Sequence, residues 1–196
     1  MTERSYHHGN LREALLDRAW ESIDAGGVDA LSLRQLARDV GVSHGASARH
    51  FSDRTALLDA VAVAGFTRMN EALAAAVEQA APFGERLRAA GLAYIGFAVA
   101  HPAILEVMYK AKHQFDASGE LRERSRASMS MVVAFVAAAQ AAGEIPTGDA
   151  ERRALVIFAS VHGVAALATA DLLDGVPWQD AAEATIEVIL GSLGVE

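Results

Sequence analysis

Between Ser32 and Arg54 the chain reads as two very short helices, each with its own start signal, joined at Gly41. Ser32 followed three residues later by Gln35 forms a capping box that opens the first, which runs through Val40. Gly41 supplies the positive φ that a helix C-terminus favours. Ser43 then caps a helix from His44 to His50, and Ser52 or Asp53 caps a longer one from about Arg54 to Ala80. A helix of two turns is not stable alone, so 44–50 has to be held by its neighbours. Gly45, Ser47, Arg49 and His50 are poor packing residues, which leaves Leu33, Leu36, Ala37, Val40, Val42, Ala46 and Phe51 to do the holding. A short helix fixed across another is a device for placing side chains in a DNA groove.

The rest of the chain is helical as well. Leu11, Leu15, Leu16, Ala19, Trp20 and Ile23 recur at helical spacing, and Gly26-Gly27 ends that first helix. Beyond Pro82 the pattern predicts helices over 84–100, 102–113, 118–143, 149–174 and 178–194, with no hairpin signal between them. The expected fold is all-α, with an N-terminal three-helix helix-turn-helix domain followed by a larger helical bundle, about nine helices in all. The uncharged runs 89–105, 127–143 and 154–170 raise a membrane question. Each falls short of the ~20 residues of a bilayer span, and they carry His101, Pro102, Gln140 and His162, so buried helices of a bundle fit better.

In 152–172 and 178–193 apolar residues such as Leu155, Phe158, Val161, Leu167, Trp178, Ile186, Ile189 and Leu193 cover more than one stripe, while Gly163, Ala165 and Ala166 allow close approach. A helix apolar on more than one face needs more than one partner. The expectation is a homodimer through the last two helices, deep burial within one subunit being the other reading. The absence of cysteine excludes disulfides and thiolate metal sites. Met1 to His8 lacks an apolar leader stretch, which makes the cytoplasm the expected compartment.

The net charge of −8 argues, taken globally, against nucleic acid. Its distribution does not: 1–54 carry 7 Arg against 8 acids, 55–113 carry 5 basic against 5 acidic residues, and 114–196 carry 5 against 12. Within 33–51, Arg34, Arg38 and Arg49 face Asp39 alone. An acidic C-terminal part repels DNA and helps orient the other end toward it.

With Tyr6-His7-His8-Gly9-Asn10-Leu11-Arg12, Leu31-Ser32-Leu33-Arg34-Gln35-Leu36-Ala37, Gly41-Val42-Ser43 and Arg49-His50-Phe51 followed by Asp53-Arg54 and Leu57-Leu58, the chain resembles the tetracycline-repressor-like (TetR) family of bacterial transcriptional regulators. Ala159-Ser160-Val161-His162-Gly163 and His101-Pro102-Ala103-Ile104-Leu105 with Met108-Tyr109 resemble one C-terminal subfamily with a His-Gly signature. The resemblance implies a homodimer whose N-terminal domain, here 8–68, binds a near-palindromic double-stranded operator. Residues 69–196 then form a ligand-binding and dimerisation domain, whose small effector releases the DNA. Ala48 stands where the family commonly has an aromatic residue, and Arg54 where it commonly has Lys.

For DNA the candidate residues are Ser32, Ser43, His44, Gly45, Ser47, Ala48, Arg49, His50 and Arg54, with the recognition helix at about 44–50. Ser32 gives its hydroxyl to a phosphate or only caps. Arg54 meets a phosphate at a helix N-terminus or stays a solvated surface group. Ala48 is suited to a thymine methyl, and Arg49 to guanine or phosphate. His50 touches DNA or helps orient Phe51. His7 and His8 lack partners at metal-ligand spacing and fit an arm near the DNA backbone. For an effector the candidates are Tyr94, Phe97, Met108, Tyr109, Phe135, Phe158 and His162, together with Phe115, Met129 and Met131; each also reads as plain core. His162 hydrogen-bonds a ligand or is a satisfied core histidine.

These observations favour a sequence-specific DNA-binding transcriptional regulator, a repressor released by a small apolar effector. No cofactor, no metal and no catalysis are expected, since no nucleophile-base arrangement, phosphate loop or paired acids are legible. The alternative is a ligand-binding or scaffolding bundle that has lost DNA recognition, which Ala48 and the weak local positive charge favour.

Overall fold

The computed structural model describes residues 11–78 and 82–195. Among them are nine α-helices, one 3-10 turn and no strand. The helix opening at Tyr6–Asn10, with His7 and His8, lies outside the described residues. By packing, the chain divides into two compact units. The first comprises the described residues of Met1–Gly65 together with Ala103–Arg122, and the second comprises the described residues of Phe66–Pro102 and Glu123–Glu196.

In the first unit, α1 (Leu11–Gly26) buries Leu11, Leu15, Ala19, Trp20 and Ile23, a stripe at helical spacing. A 3-10 turn at Val28–Ala30, not evident in the sequence, follows Gly27 at φ 74°. α2 (Leu33–Asp39) is capped by Ser32, whose hydroxyl accepts from the Gln35 N–H. The capping box is half made. The Gln35 amide turns along the helix, donating to Asp39 at 2.6 Å and accepting from Arg38 at 2.5 Å. Gly41 takes φ 78°, and the Val42 N–H returns to the Ala37 carbonyl at 2.8 Å, closing α2 as expected.

α3 is shorter than the predicted His44–His50: it spans His44–Ala48, capped by Ser43 through the Ala46 N–H. Of the two capping candidates for α4 (Arg54–Glu78), Asp53 accepts from the Ala56 N–H at 2.8 Å, and Ser52 donates to the Asp53 carboxylate. α6 (Pro102–Ala111) begins on a proline, the residue that best fits a first helical position. Its Met108 is fully buried and fills the space beside Gly65, where an added Cβ would come within 2.6 Å of the Met108 sulfur.

In the second unit α5 (Phe83–Ala100), α8 (Ala150–Thr169) and α9 (Trp178–Ser192) pack on one another. α7 (Gly119–Ala141) contributes the buried Val136 and Ala139. Gly91 lets α9 approach α5, since a Cβ there would meet Ile186 Cδ1 at 2.8 Å. Arg88 and Glu183 pair across the same two helices at 2.6 Å. α8 stops five residues short of the predicted 174. Asp171 and Asp174 adopt left-handed φ values of 56° and 49°, which aspartate tolerates and which break the helical ladder.

Two carboxylates staple the first unit. Asp39 accepts from Gln35 and from Arg18 Nε of α1 at 2.9 Å, and these hydrogen bonds, Gln35's first, hold its carboxyl below the ordinary range. The α4 amide of Ala56 and the Ser52 hydroxyl do the same for Asp53. A depressed folded-state value contributes stability that is present above the ordinary carboxylate value of about 4 and lost as pH falls through the folded value. Asp39→Asn and Asp53→Asn are therefore expected to lower the melting temperature at pH 7, by a margin that shrinks as pH falls into the acid range through the depressed folded-state values. Calorimetry across that range checks this, and a deficit that persists undiminished in acid would count against the two staples.

Candidate DNA-reading surface and effector cavity

The capping serines, the Gly41 turn and the buried Leu36, Ala37 and Phe51 fix α3 against α2. Leu33, Val40, Val42 and Ala46, expected as packing positions, are half-buried. Arg12 adds a guanidinium over the Phe51 ring, 5.4 Å from its centroid. His44, Gly45, Ala48, Arg49 and His50 are all exposed, as are Arg34 and Arg38 of α2. The two acids within this segment are engaged locally, Asp39 with Arg18 and Gln35 and Asp53 at the start of α4. The local charge on offer to solvent is thus positive.

Four of the sequence candidates are engaged within the protein. Ser47 is only 1% exposed, and its hydroxyl donates to the His44 carbonyl at 2.9 Å. It faces into the helix pair, where a small residue that satisfies its own hydroxyl fits, and is withdrawn from the groove-facing set. Ser32 and Ser43 spend their oxygens on helix caps. Arg54 donates through Nη2 to the Val28 carbonyl at 2.7 Å and approaches Asp29 at 4.0 Å, so it ties α4 to the 3-10 turn while its side chain remains half exposed.

The second unit contains an apolar cavity of about 410 Å³. Its walls come from α4 (Leu73, Ala74, Val77, Glu78), α5 (Leu87, Ala90, Gly91, Tyr94), α7 (Ser128, Met131, Val132, Ala134, Phe135) and α8 (Ile157, Phe158, Val161). Of the effector candidates it brings together Tyr94, Phe135 and Phe158. The Tyr94 hydroxyl and His162 Nδ1 are 2.8 Å apart, and Phe158 stacks on His162 and meets Tyr94 edge-on. Phe135 stacks on Phe83 with Arg86 above its ring. These contacts lock the rotamers of the aromatic wall.

Met131, also a candidate, lines the α7 side; the remaining ones have other places. His162 backs Tyr94 without lining the cavity. Phe97 pairs with His101 edge-on. Met108 and Tyr109 belong to the first unit, Met108 beside Gly65 and Tyr109 beneath the Lys112 ammonium at 4.2 Å. Phe115 is fully exposed. Apart from Glu78, the residues that sequence reasoning missed are small or aliphatic. An alanine or glycine walls a cavity by what it lacks, and only the neighbours across the gap reveal that.

On α8, Leu155, Val156, Ala159, Ala166 and Leu167 are exposed at spacings that share one face with the half-buried Gly163. On α9 the exposed Ala184, Val188 and Gly191 do likewise, Val188 being 74% exposed. Helix α8 also has the length and mean hydropathy of a membrane-crossing segment, a composition that core helices share.

Residues 87–193 match the family described as tetracyclin repressor-like, C-terminal domain, and residues 15–61 match bacterial regulatory proteins of the tetR family. No curated protein sequence matches the chain. A structure of a protein with unknown function from Rhodococcus sp. RHA1 is similar at 47% identity and a TM-score of 0.90, covering 97% of this chain and 99% of that one. FadR from Bacillus subtilis in complex with stearoyl-CoA shares the fold at 15% identity, TM-score 0.73, covering 90% and 96%. AibR in complex with isovaleryl coenzyme A and operator DNA does so at 18% identity, TM-score 0.67, covering 90% and 96%.

Proposed function

Because the chain belongs to the tetracycline-repressor-like family of bacterial regulators, we propose that it is a cytoplasmic, homodimeric repressor that binds a near-palindromic operator and releases it when a small apolar molecule fills the 410 Å³ cavity. The observation that carries this reading is the exposed side of α3. His44, Gly45 and Ala48 project from a helix too short to stand alone and the exposed Arg49 follows at its C-terminus, with Arg34 and Arg38 on the helix before it. Arg49 is the residue suited to a guanine edge, and His44 and Ala48 flank it. Arg34, Arg38 and the exposed part of Arg54 supply phosphate contacts that set affinity and register. The structure of AibR with both a ligand and operator DNA is support by analogy.

The exposed apolar face of α8 and α9 supports the dimer, since two copies related by a two-fold axis bury it against itself. Two half-sites then bind with one helical turn or a multiple between them. Release is a population shift. The effector has to bind the DNA-incompetent arrangement better than the competent one, and its differential affinity sets how far the equilibrium moves. α4 is suited to carry the difference, as a single helix capped at Asp53 whose Leu73, Ala74, Val77 and Glu78 wall the cavity.

The test is footprinting on the DNA upstream of its own gene. Protection is expected that falls steeply with salt and exceeds binding to random fragments by about a thousandfold or more. Equal binding to random DNA at every salt concentration would instead favour the bundle that has lost recognition, the reading Ala48 suggests.

A further inference from the structure

We propose that the effector is electrically neutral and rich in hydrocarbon, and that the cavity excludes carboxylates, phosphate esters and coenzyme A thioesters. This rests on the reading of the cavity as the effector site. Among the described lining residues the one charged side chain is Glu78, an acid, and none is Lys, Arg or His. An anion whose charged group is drawn against this wall gives up water with no counter-charge there and with a carboxylate at its edge, a loss that nothing on the wall offsets. Glu78 is itself exposed, and of the aromatic rings on the wall Phe135 already carries the Arg86 guanidinium over its face. A cation therefore gains little to offset its own desolvation.

The polar groups of the wall are already served by protein. Ser128 Oγ donates to Asn70 Oδ1 at 2.9 Å, and the Tyr94 hydroxyl is 2.8 Å from His162 Nδ1. Recognition is left to area: Phe135, Phe158, Met131 and the surrounding aliphatic side chains offer flat and adaptable apolar surface. A volume of 410 Å³ lies toward the lower end of the roughly 300–1,000 Å³ of small-molecule sites, enough for a ligand of modest size. The contrast is with the stearoyl-CoA and isovaleryl coenzyme A held by FadR and AibR.

The experiment uses one carbon skeleton with four head groups. Decanol, decanoate, decyltrimethylammonium and decanoyl-CoA compete at pH 7.5 with the neutral fluorophore N-phenyl-1-naphthylamine for the full-length protein. Decanol is expected to bind at least about tenfold tighter than each charged member. Equal or tighter binding of any charged member overturns the proposal, and so does no uptake of any of the four. Ala90→Phe and Ala134→Trp fill the cavity from two sides, Ala134 at an exposed position that the fold tolerates. At least one folded variant is expected to lose about tenfold or more in decanol affinity, and wild-type affinity in a folded variant of each overturns the assignment to this cavity.

Operator footprinting without ligand, with decanol and with decanoate reads the regulator proposal separately. Absent protection with decanol still bound sinks the regulator reading while leaving the charge selectivity, and decanoate-driven release does the reverse.

Discussion

Leu167→Glu combined with Val188→Glu is expected to convert the protein from dimer to monomer and to weaken operator binding by about a thousandfold, some 4 kcal/mol. Both side chains are exposed in the isolated subunit, Leu167 on α8 and Val188 on α9, so the subunit's own fold should change within about 0.5 kcal/mol. Their effect lies in the assembly. At a two-fold interface each substitution occurs twice, placing four carboxylates where apolar surface meets itself, each at an effective cost of several kcal/mol if buried unpaired. Gly163 supports the same face. A glycine inside a helix costs about 1 kcal/mol relative to alanine, and a Cβ at 163 would touch nothing within the subunit.

Close approach by a second helix, as the proposed dimer requires, would give that glycine its reason. Once monomeric, the protein engages half-sites one at a time and forfeits an avidity of about 10²–10⁴. Sedimentation velocity, circular dichroism and footprinting on the same samples check this together. A folded double variant that stays dimeric and holds its operator would sink the α8–α9 interface.

The helices were legible because their signals are local. Ser32, Gly41, Ser43 and Asp53 each act within four residues of where they stand, and the structure uses each as a cap or turn. Where a signal had competing partners the sequence was less informative. Gln35 was expected to reach back to the Ser32 amide, but Asp39 and Arg38, one turn ahead, offer charged partners, and the amide goes to them. The five missing residues of α8 depend on two aspartates adopting left-handed φ, a choice available to aspartate but not compelled by it.

The site divides in the same way. The exposed residues of α3 follow from helix phase, except Ser47, whose burial requires knowing that it returns its hydroxyl to His44. The cavity was legible only through its aromatic residues and Met131. Tyr94, Phe135 and Phe158 were visible as large side chains, whereas Ala74, Ala90 and Ala134 matter because they leave room, and Met108 left the set because Gly65 makes a place for it elsewhere.

Gly45→Leu is expected to separate folding from DNA recognition, because the two demand opposite things of position 45. A Cβ there meets nothing within 4 Å and the residue lies in α3 with no positive φ, so neither packing nor backbone geometry asks for glycine. Leucine has the better helix propensity by up to about 1 kcal/mol, so the melting temperature should hold or rise. On the proposed reading of α3 as the groove-facing helix, the leucine side chain would occupy the space needed to approach base edges, and operator affinity should fall about a thousandfold, toward its value for random DNA.

Arg49→Ala is the companion, and its pattern identifies what Arg49 touches. A loss of about 1–3 kcal/mol confined to sites with guanine at one position marks a base contact. A uniform loss across sequences, with a salt slope shallower by about one, marks a phosphate contact. If Gly45→Leu binds the operator as the wild type does, α3 does not lie in the groove, and the exposed face of this helix pair serves something other than reading DNA.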